Sequence, residues 1–258
     1  MTRDLHSRVK RAAITAWRWS NARVRHLRDA FNPRVLAGSF ATAAAEKFLE
    51  QQGIAFQRRC DGSLLVSEPI YLNNRNLKQL PDLTCVYLDS SFHCQKNQLT
   101  DLKGAPRTVT GAFMCEENKL TSLEGAPEDV GAAFNANENL LETLDGAPRR
   151  VGNYFGCAGN KLKTLKGGPE IVGDTYWCDG NNLESLRGMP EDCPRIVSDF
   201  GRFDSWDAVP EDVRISPAES AADAAALDHA RTEIAEKSVV LQDRLTVSRP
   251  LTLKPAGA

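Results

Sequence analysis

Histidine, tryptophan and methionine are scarce in this chain, at four, four and three among 258 residues. The histidines (His6, His26, His93 and His229) sit in no recognisable motif, so acid–base catalysis by imidazole has little to draw on. The signatures of phosphate-binding loops (G-x-x-x-x-G-K-[ST]), zinc peptidases (H-E-x-x-H) and serine hydrolases (G-x-S-x-G) are missing. The seven cysteines, an odd number, include no C-x2-C pair and have no metal-ligand spacing with histidine, which argues against zinc. Free thiols in a cytoplasmic, reducing setting are the expectation. No apolar run approaches the ~18 residues of a membrane span, and the N-terminus lacks the apolar core of a secretory signal. These lacks lead us to expect a protein without catalytic residues, metal, cofactor or small-molecule substrate.

The hydrophobic share of 41% is enough for a core, and the net charge of −2 alone says nothing of partners. The charge is unevenly placed, however. Residues 1–35 hold nine Lys/Arg against Asp4 and Asp29, a surplus of seven, so the remainder carries −9.

What the chain does have is a repeat. Asn97, Asn118, Asn139, Asn160 and Asn181 are 21 residues apart. Leu99, Leu102, Pro106 and Phe92 each head a column with the same period, the last column ending in Tyr176. The repeat reads F-x-C-x-x-N-x-L-x-x-L-x-G-A-P-x-x-V-G-x-x. Its edges decay: upstream, Arg75 stands where asparagine belongs; downstream, Val197, Phe203, Trp206 and Pro210 continue the pattern with proline one residue early. Atypical ends are expected of a stacked array. About seven coils are predicted over residues 68–215.

Each column has a physical task. F-x-C alternates as a short strand does, so Phe and Cys point one way and the residue between them the other. One coil cannot bury its Leu, Leu and Val alone; stacked coils can. The asparagine amide carries donors and an acceptor, fitting it to backbone groups left open at a bend. Gly-Ala-Pro and the later glycine supply turns. The cysteine file (Cys94, Cys115, Cys157, Cys178) reads as packing, since Ala136 replaces it in one coil.

This pattern resembles the leucine-rich repeat, whose consensus is L-x-x-L-x-L-x-x-N/C-x-L. The matching segments are residues 92–99, 113–120, 134–141, 155–162 and 176–183, with Ala136 in place of Cys. The short period and the prolines look most like the bacterial versions in type III secreted effectors and some phage proteins. The resemblance covers a little over half the chain. It implies an α/β repeat solenoid with a parallel sheet, a protein-interaction role as an effector, and export into a host cell by a route without a cleaved secretory signal. Some such effectors carry a ubiquitin-ligase domain with a catalytic cysteine; here no cysteine follows Cys193.

The flanks divide the rest. Residues 1–35 are a basic segment whose stretch 8–31 has Ile14, Trp17, Val24, Leu27 and Phe31 at helical spacing. It reads as a solvated face packed on the body, as a helix for a membrane surface or an acidic partner, or as a targeting segment. Nucleic-acid binding through it is disfavoured by the acidic remainder. Residues 36–67 read as an N-terminal cap: a helix from Ser39 to Gln52 closed by Gly53, then a hairpin about Asp61-Gly62. Residues 216–258 read as an Ala-rich helix and a loose tail.

If the strands line a concave side, the outward residues are the readable surface. The central row is Tyr71, His93, Met114, Asn135, Gly156 and Trp177. Flanking it are Ser91, Gln95, Ala112, Glu116, Asn137, Tyr154, Thr175 and Asp179. These positions vary while the scaffold columns do not. Partner binding is expected at Tyr71, His93, Met114, Glu116, Asn135, Tyr154, Trp177 and Asp179, the aromatics being the strongest candidates. The alternative is a structural or self-assembling repeat protein.

Overall fold

The fold comes from a computed structural model that describes residues 39–215. Helix α1 (Ser39–Gln52) ends at Gly53, whose φ of +69° makes the left-handed turn. Ala45 and Leu49 of α1 are fully buried in the core shared with the repeats. Strands β1 (Gln57–Arg58) and β2 (Leu64–Val66) then pair antiparallel around Gly62. The expected helix and hairpin are thus present. The helices expected within 8–31 and 216–258 lie outside the described residues.

From there the chain alternates between two sheets. Its strands are β3 (Ile70–Tyr71), β4 (Val86–Leu88), β5 (Phe92–His93), β6 (Thr108–Val109), β7 (Phe113–Met114), β8 (Asp129–Val130) and β9 (Phe134–Asn135). They continue as β10 (Arg150–Val151), β11 (Phe155–Gly156), β12 (Ile171–Val172), β13 (Thr175–Trp177), β14 (Arg195–Ser198) and β15 (Gly201–Phe203). Odd-numbered strands from β3 to β13, then β14, stack in parallel, and β15 closes that sheet antiparallel. The even-numbered strands β2 to β12 form a second parallel sheet, begun by β1. The result is a parallel β-solenoid of about six turns rather than seven, with few helices.

The second sheet corrects the single sheet expected. Its strands in the regular coils are two residues long, one buried valine after one half-exposed residue. Two residues are too few to leave a readable alternation. A second correction concerns the last coil. Ile196, not Val197, pairs with Tyr176 and is buried, because that coil is one residue short. Val197 instead pairs with Trp177 on the outward row.

The inward columns are buried as the period predicts. Phe92, Phe113, Phe134 and Phe155 stack with ring centroids 5.2, 5.3 and 5.6 Å apart, and Tyr176 continues the file at 5.0 Å. The repeat leucines 99, 102, 120, 123, 141, 144, 162 and 165 are wholly enclosed. Pro106, Pro127, Pro148 and Pro169 form a buried file.

Between the strand and the leucines the chain bends through a residue with left-handed φ: Lys96, Glu117, Glu138, Gly159 and Gly180. The next residue is the asparagine. Asn139 Nδ2 donates to Cys115 O of the coil before (3.1 Å) and Ala136 O of its own (3.2 Å), while its Oδ1 accepts from Leu120 N (3.0 Å). Asn118, Asn160 and Asn181 repeat the arrangement. Where Arg75 replaces asparagine, Asn97 Oδ1 accepts from both Arg75 N and Leu77 N at 2.9 Å.

At the opposite corner Gly125 has φ +95°, and a Cβ there would lie 2.5 Å from the Leu102–Lys103 peptide of the coil before. Turn geometry and coil spacing thus both demand glycine.

Two neighbouring coils share a paired exception. Tyr176 puts a hydroxyl in the phenylalanine file, and Gly168 stands where three other coils have Ala105, Ala126 and Ala147. A Cβ on Gly168 would be 2.7 Å from the Tyr176 hydroxyl, which is buried and meets no hydrogen-bond partner among the described residues.

Two stability outcomes are expected. Asn139→Ala leaves the Leu120 amide without its acceptor and removes one of the two asparagine donors from each of Cys115 O and Ala136 O. It should destabilise the protein by about 2 kcal/mol or more, read from the urea midpoint. A loss below about 1 kcal/mol would show that water replaces the ladder. In the Gly168/Tyr176 pair, Gly168→Ala alone should destabilise. Tyr176→Phe should be neutral or stabilising, and the double variant should exceed the sum of the two by about 1 kcal/mol or more. Additivity would refute the steric pairing.

Candidate functional site

The parallel register fixes the outward row of the first sheet. Tyr71 is Cα partner to His93, His93 to Met114, Met114 to Asn135, Asn135 to Gly156, and Gly156 to Trp177. The residues chosen from the period therefore lie on one continuous ladder. Val197 extends it, and Arg202 faces Val197 across the closing hairpin. Sequence reading missed both, because the short last coil shifts the register.

Two aromatic groups mark the row. Tyr71, 56% exposed, stacks on His93 with centroids 4.8 Å apart. Trp177, 41% exposed, meets the Tyr154 ring edge-on at 6.5 Å. The Tyr154 hydroxyl reaches back to Met114 Sδ at 4.0 Å. Gly156, buried beneath its neighbours, together with Ala112 and Ala133 leaves the middle of the face low. A Cβ at Gly156 would meet Asn137 Oδ1 at 2.8 Å and Asn135 Oδ1 at 3.0 Å.

The asparagines on this face are engaged in the scaffold. Asn135 Oδ1 accepts from Asn137 N (3.1 Å), and Asn137 Oδ1 accepts from Ala158 N (2.7 Å). Ser91 Oγ accepts from Ala112 N at 3.0 Å.

The acceptors two residues beyond the central row differ. Gln95 Oε1, Glu116 Oε2 and Asp179 Oδ1 are shielded from solvent and meet no hydrogen-bond donor among the described residues. Only Glu46 Oε1 and the Tyr176 hydroxyl share that condition there. Burial pushes the Glu116 carboxyl above the ordinary carboxylate range, helped by the charge of Glu117; its own amide and Lys96 offset this in part. Burial, and secondarily Glu116, raises the Tyr154 phenol. Burial lowers the His93 imidazole, which favours its neutral form.

The outward side of the second sheet is the contrast. Arg150 pairs with Asp129 (2.9 Å), Arg149 with Glu170 (2.8 Å), Thr110 Oγ1 donates to Asp89 (2.8 Å), and Arg59 covers the Tyr87 ring at 5.0 Å. That face satisfies its polar groups across neighbouring coils. The first sheet's face does not.

The cysteine file is core. Cys94, Cys115, Cys157 and Cys178 are free and buried, and burial holds their thiols protonated; Cys193 is pushed up to about 11. Among the described residues no group of three or more His, Cys, Asp or Glu is placed to hold a metal ion. No described helix is long and apolar enough to cross a membrane.

The chain matches no protein-family model and no curated protein.

A raised carboxyl binds its proton more readily folded than unfolded. Glu116 therefore opposes folding above its native titration range, and that penalty fades as pH falls through it. Glu116→Gln should raise the thermal midpoint at pH 7, and the gain should shrink at pH 4. A midpoint unchanged or lowered at pH 7 would show that Glu116 is satisfied in the folded protein.

Proposed function

We propose that the chain is a non-enzymatic interaction module of leucine-rich-repeat type that binds a partner protein through the outward face of its first sheet. The observation that carries the proposal is the difference between the two sheets. One face neutralises itself with cross-coil ion pairs; the other presents Tyr71, Tyr154 and Trp177 beside acceptors that nothing in the described chain satisfies. Large aromatics beside unsatisfied polar groups are what a partner can cover with gain, because it removes apolar surface from water and supplies the missing donors.

The leucine-rich-repeat assignment rests on the F-x-C-x-x-N-x-L segment and on an asparagine that bonds the carbonyl of its own strand and of the strand before. The second sheet is where this chain departs from the pattern expected. A host-cell setting and effector role follow from the repeat resemblance and belong to the same proposal. Half-buried ladder residues with partners of their own, such as Asn135, contribute shape to the face rather than affinity.

The test is affinity capture with the full-length protein from host and own-cell lysates. Tyr154→Ala with Trp177→Ala should lose specifically captured proteins, while Thr108→Ala on the second sheet should retain them. Each truncation at a hot spot costs about 2 kcal/mol or more, roughly thirtyfold in affinity for one residue. Retention by the aromatic variant, with folding verified by circular dichroism, would move the binding surface elsewhere.

A further inference from the structure

The unsatisfied acceptors on this face specify what the partner must bring. Resting on the reading of that face as the docking surface, we infer that it receives a basic segment of the partner through two arginine or lysine side chains, one at Glu116 and one at Asp179.

The argument begins with sign. Along the three outward rows of the coils from β5 to β13 the charged residues are Glu116 and Asp179, both acidic. Burial of His93 favours its neutral form. Arg195, in the flanking row of the short last coil, is already paired with Asp174, and Arg202 stands beyond it in the hairpin. Each acid has a shielded oxygen without a donor. A carboxylate oxygen that is shielded and unpaired is unfavourable, and the group that relieves it best is a cationic N–H donor.

The surroundings fit the same chemistry. Tyr154 is close enough to feel the Glu116 charge, and its hydroxyl lies against Met114, two residues before Glu116 in the chain. Trp177 stands two residues before Asp179 and packs on Tyr154 from the other side. Each acid thus has an aromatic ring and an apolar wall nearby, which favours a guanidinium or an ammonium on a long stem. Gln95, in register with Glu116, adds a second acceptor for a forked donor.

The spacing then selects the segment. Glu116 and Asp179 are three coils apart, about 14 Å at ~4.8 Å per coil. An extended chain advances ~3.3 Å per residue, so two basic residues four positions apart span about 13 Å and point to the same side. The low centre at Ala133 and Gly156 admits small residues between them. The favoured ligand is an extended segment of the form Arg-x-x-x-Arg with small x.

The probe is the capped peptide Arg-Ser-Gly-Ser-Arg, titrated into the full-length protein while the Trp177 indole N–H resonance is followed by NMR. Binding should shift that resonance saturably. Glu116→Gln and Asp179→Asn, near-isosteric changes, should each weaken binding about tenfold or more. Replacing both peptide arginines by citrulline should do the same in the unaltered protein, which keeps the test independent of any variant's folding. Undiminished binding by either variant, or equal binding of the citrulline peptide, would overturn the inference. So would a molecular size that grows with concentration and reverts in Glu116→Gln, since the chain's own basic residues would then be the occupant. If Tyr154→Ala with Trp177→Ala abolishes capture of a partner protein and the neutralising changes leave that capture intact, the docking face stands and the basic-segment assignment falls.

Discussion

The structure depends on how a buried bend is satisfied. Each coil must turn out of its strand while its backbone is already covered by the coils on either side. A backbone group orphaned there costs about 1–3 kcal/mol, and the bend orphans both donors and acceptors. One asparagine per coil resolves this by bonding to its own strand and to the coil before. That dual connection makes the asparagine ladder a link between coils as well as a brace within one. The left-handed residue ahead of it, glycine in only two of five coils, is tolerated because the ladder more than offsets the strain. The phenylalanine stack, the leucine files and the strand register follow once the bends are held at equal spacing.

Much of this was legible in the sequence because a repeat prints the same constraint several times. A single buried asparagine is ambiguous; five at one interval, each two residues before a leucine, identify a bend. Inward and outward sides of the first sheet were readable from F-x-C for the same reason. The second sheet was not. Its strands hold one inward valine each, and a lone valine before glycine reads equally as a turn residue. The end of the array was misaligned by one residue because the chain drops a position before Ile196, and only the pairing of β13 with β14 reveals where. Of the candidate face, the row of residues was legible and the state of its polar atoms was not. Nothing in the spelling of Gln95, Glu116 and Asp179 distinguishes them from Asn135 and Asn137, whose amides are spent on the backbone.

The two sheets show how the same scaffold can treat two surfaces differently. Placing opposite charges at equivalent positions of adjacent coils, as Asp129 with Arg150 and Arg149 with Glu170, makes a face self-sufficient. Such exposed pairs contribute little to stability, but they leave no surplus charge for a partner to meet. The first sheet holds Glu116 where burial disfavours its ionised form, a local loss of stability with no gain inside the described chain. On the proposed reading, that sacrifice, together with the unmet acceptors of Gln95 and Asp179 beside it, belongs to a surface shaped for a partner.

If the face is a docking surface, as proposed, its dimensions narrow the kind of partner. Six rungs from Tyr71 to Trp177 span about 24 Å at ~4.8 Å per rung, and three outward rows along each strand add roughly 15 Å of width. The product is on the order of 400 Å², about half of what one globular partner contributes to an ordinary stable interface. A folded domain docking on this face alone would be held weakly. An extended segment running across the coils can place every second side chain into the rows and use the whole area. The spacing that such a segment must match is set by the stack itself, because the asparagine ladder and the strand register hold successive coils at one interval. The same regularity that lets the coils fold on one another thus makes the face a ruler. A ligand is then distinguished by where its side chains fall along that interval as well as by what they are.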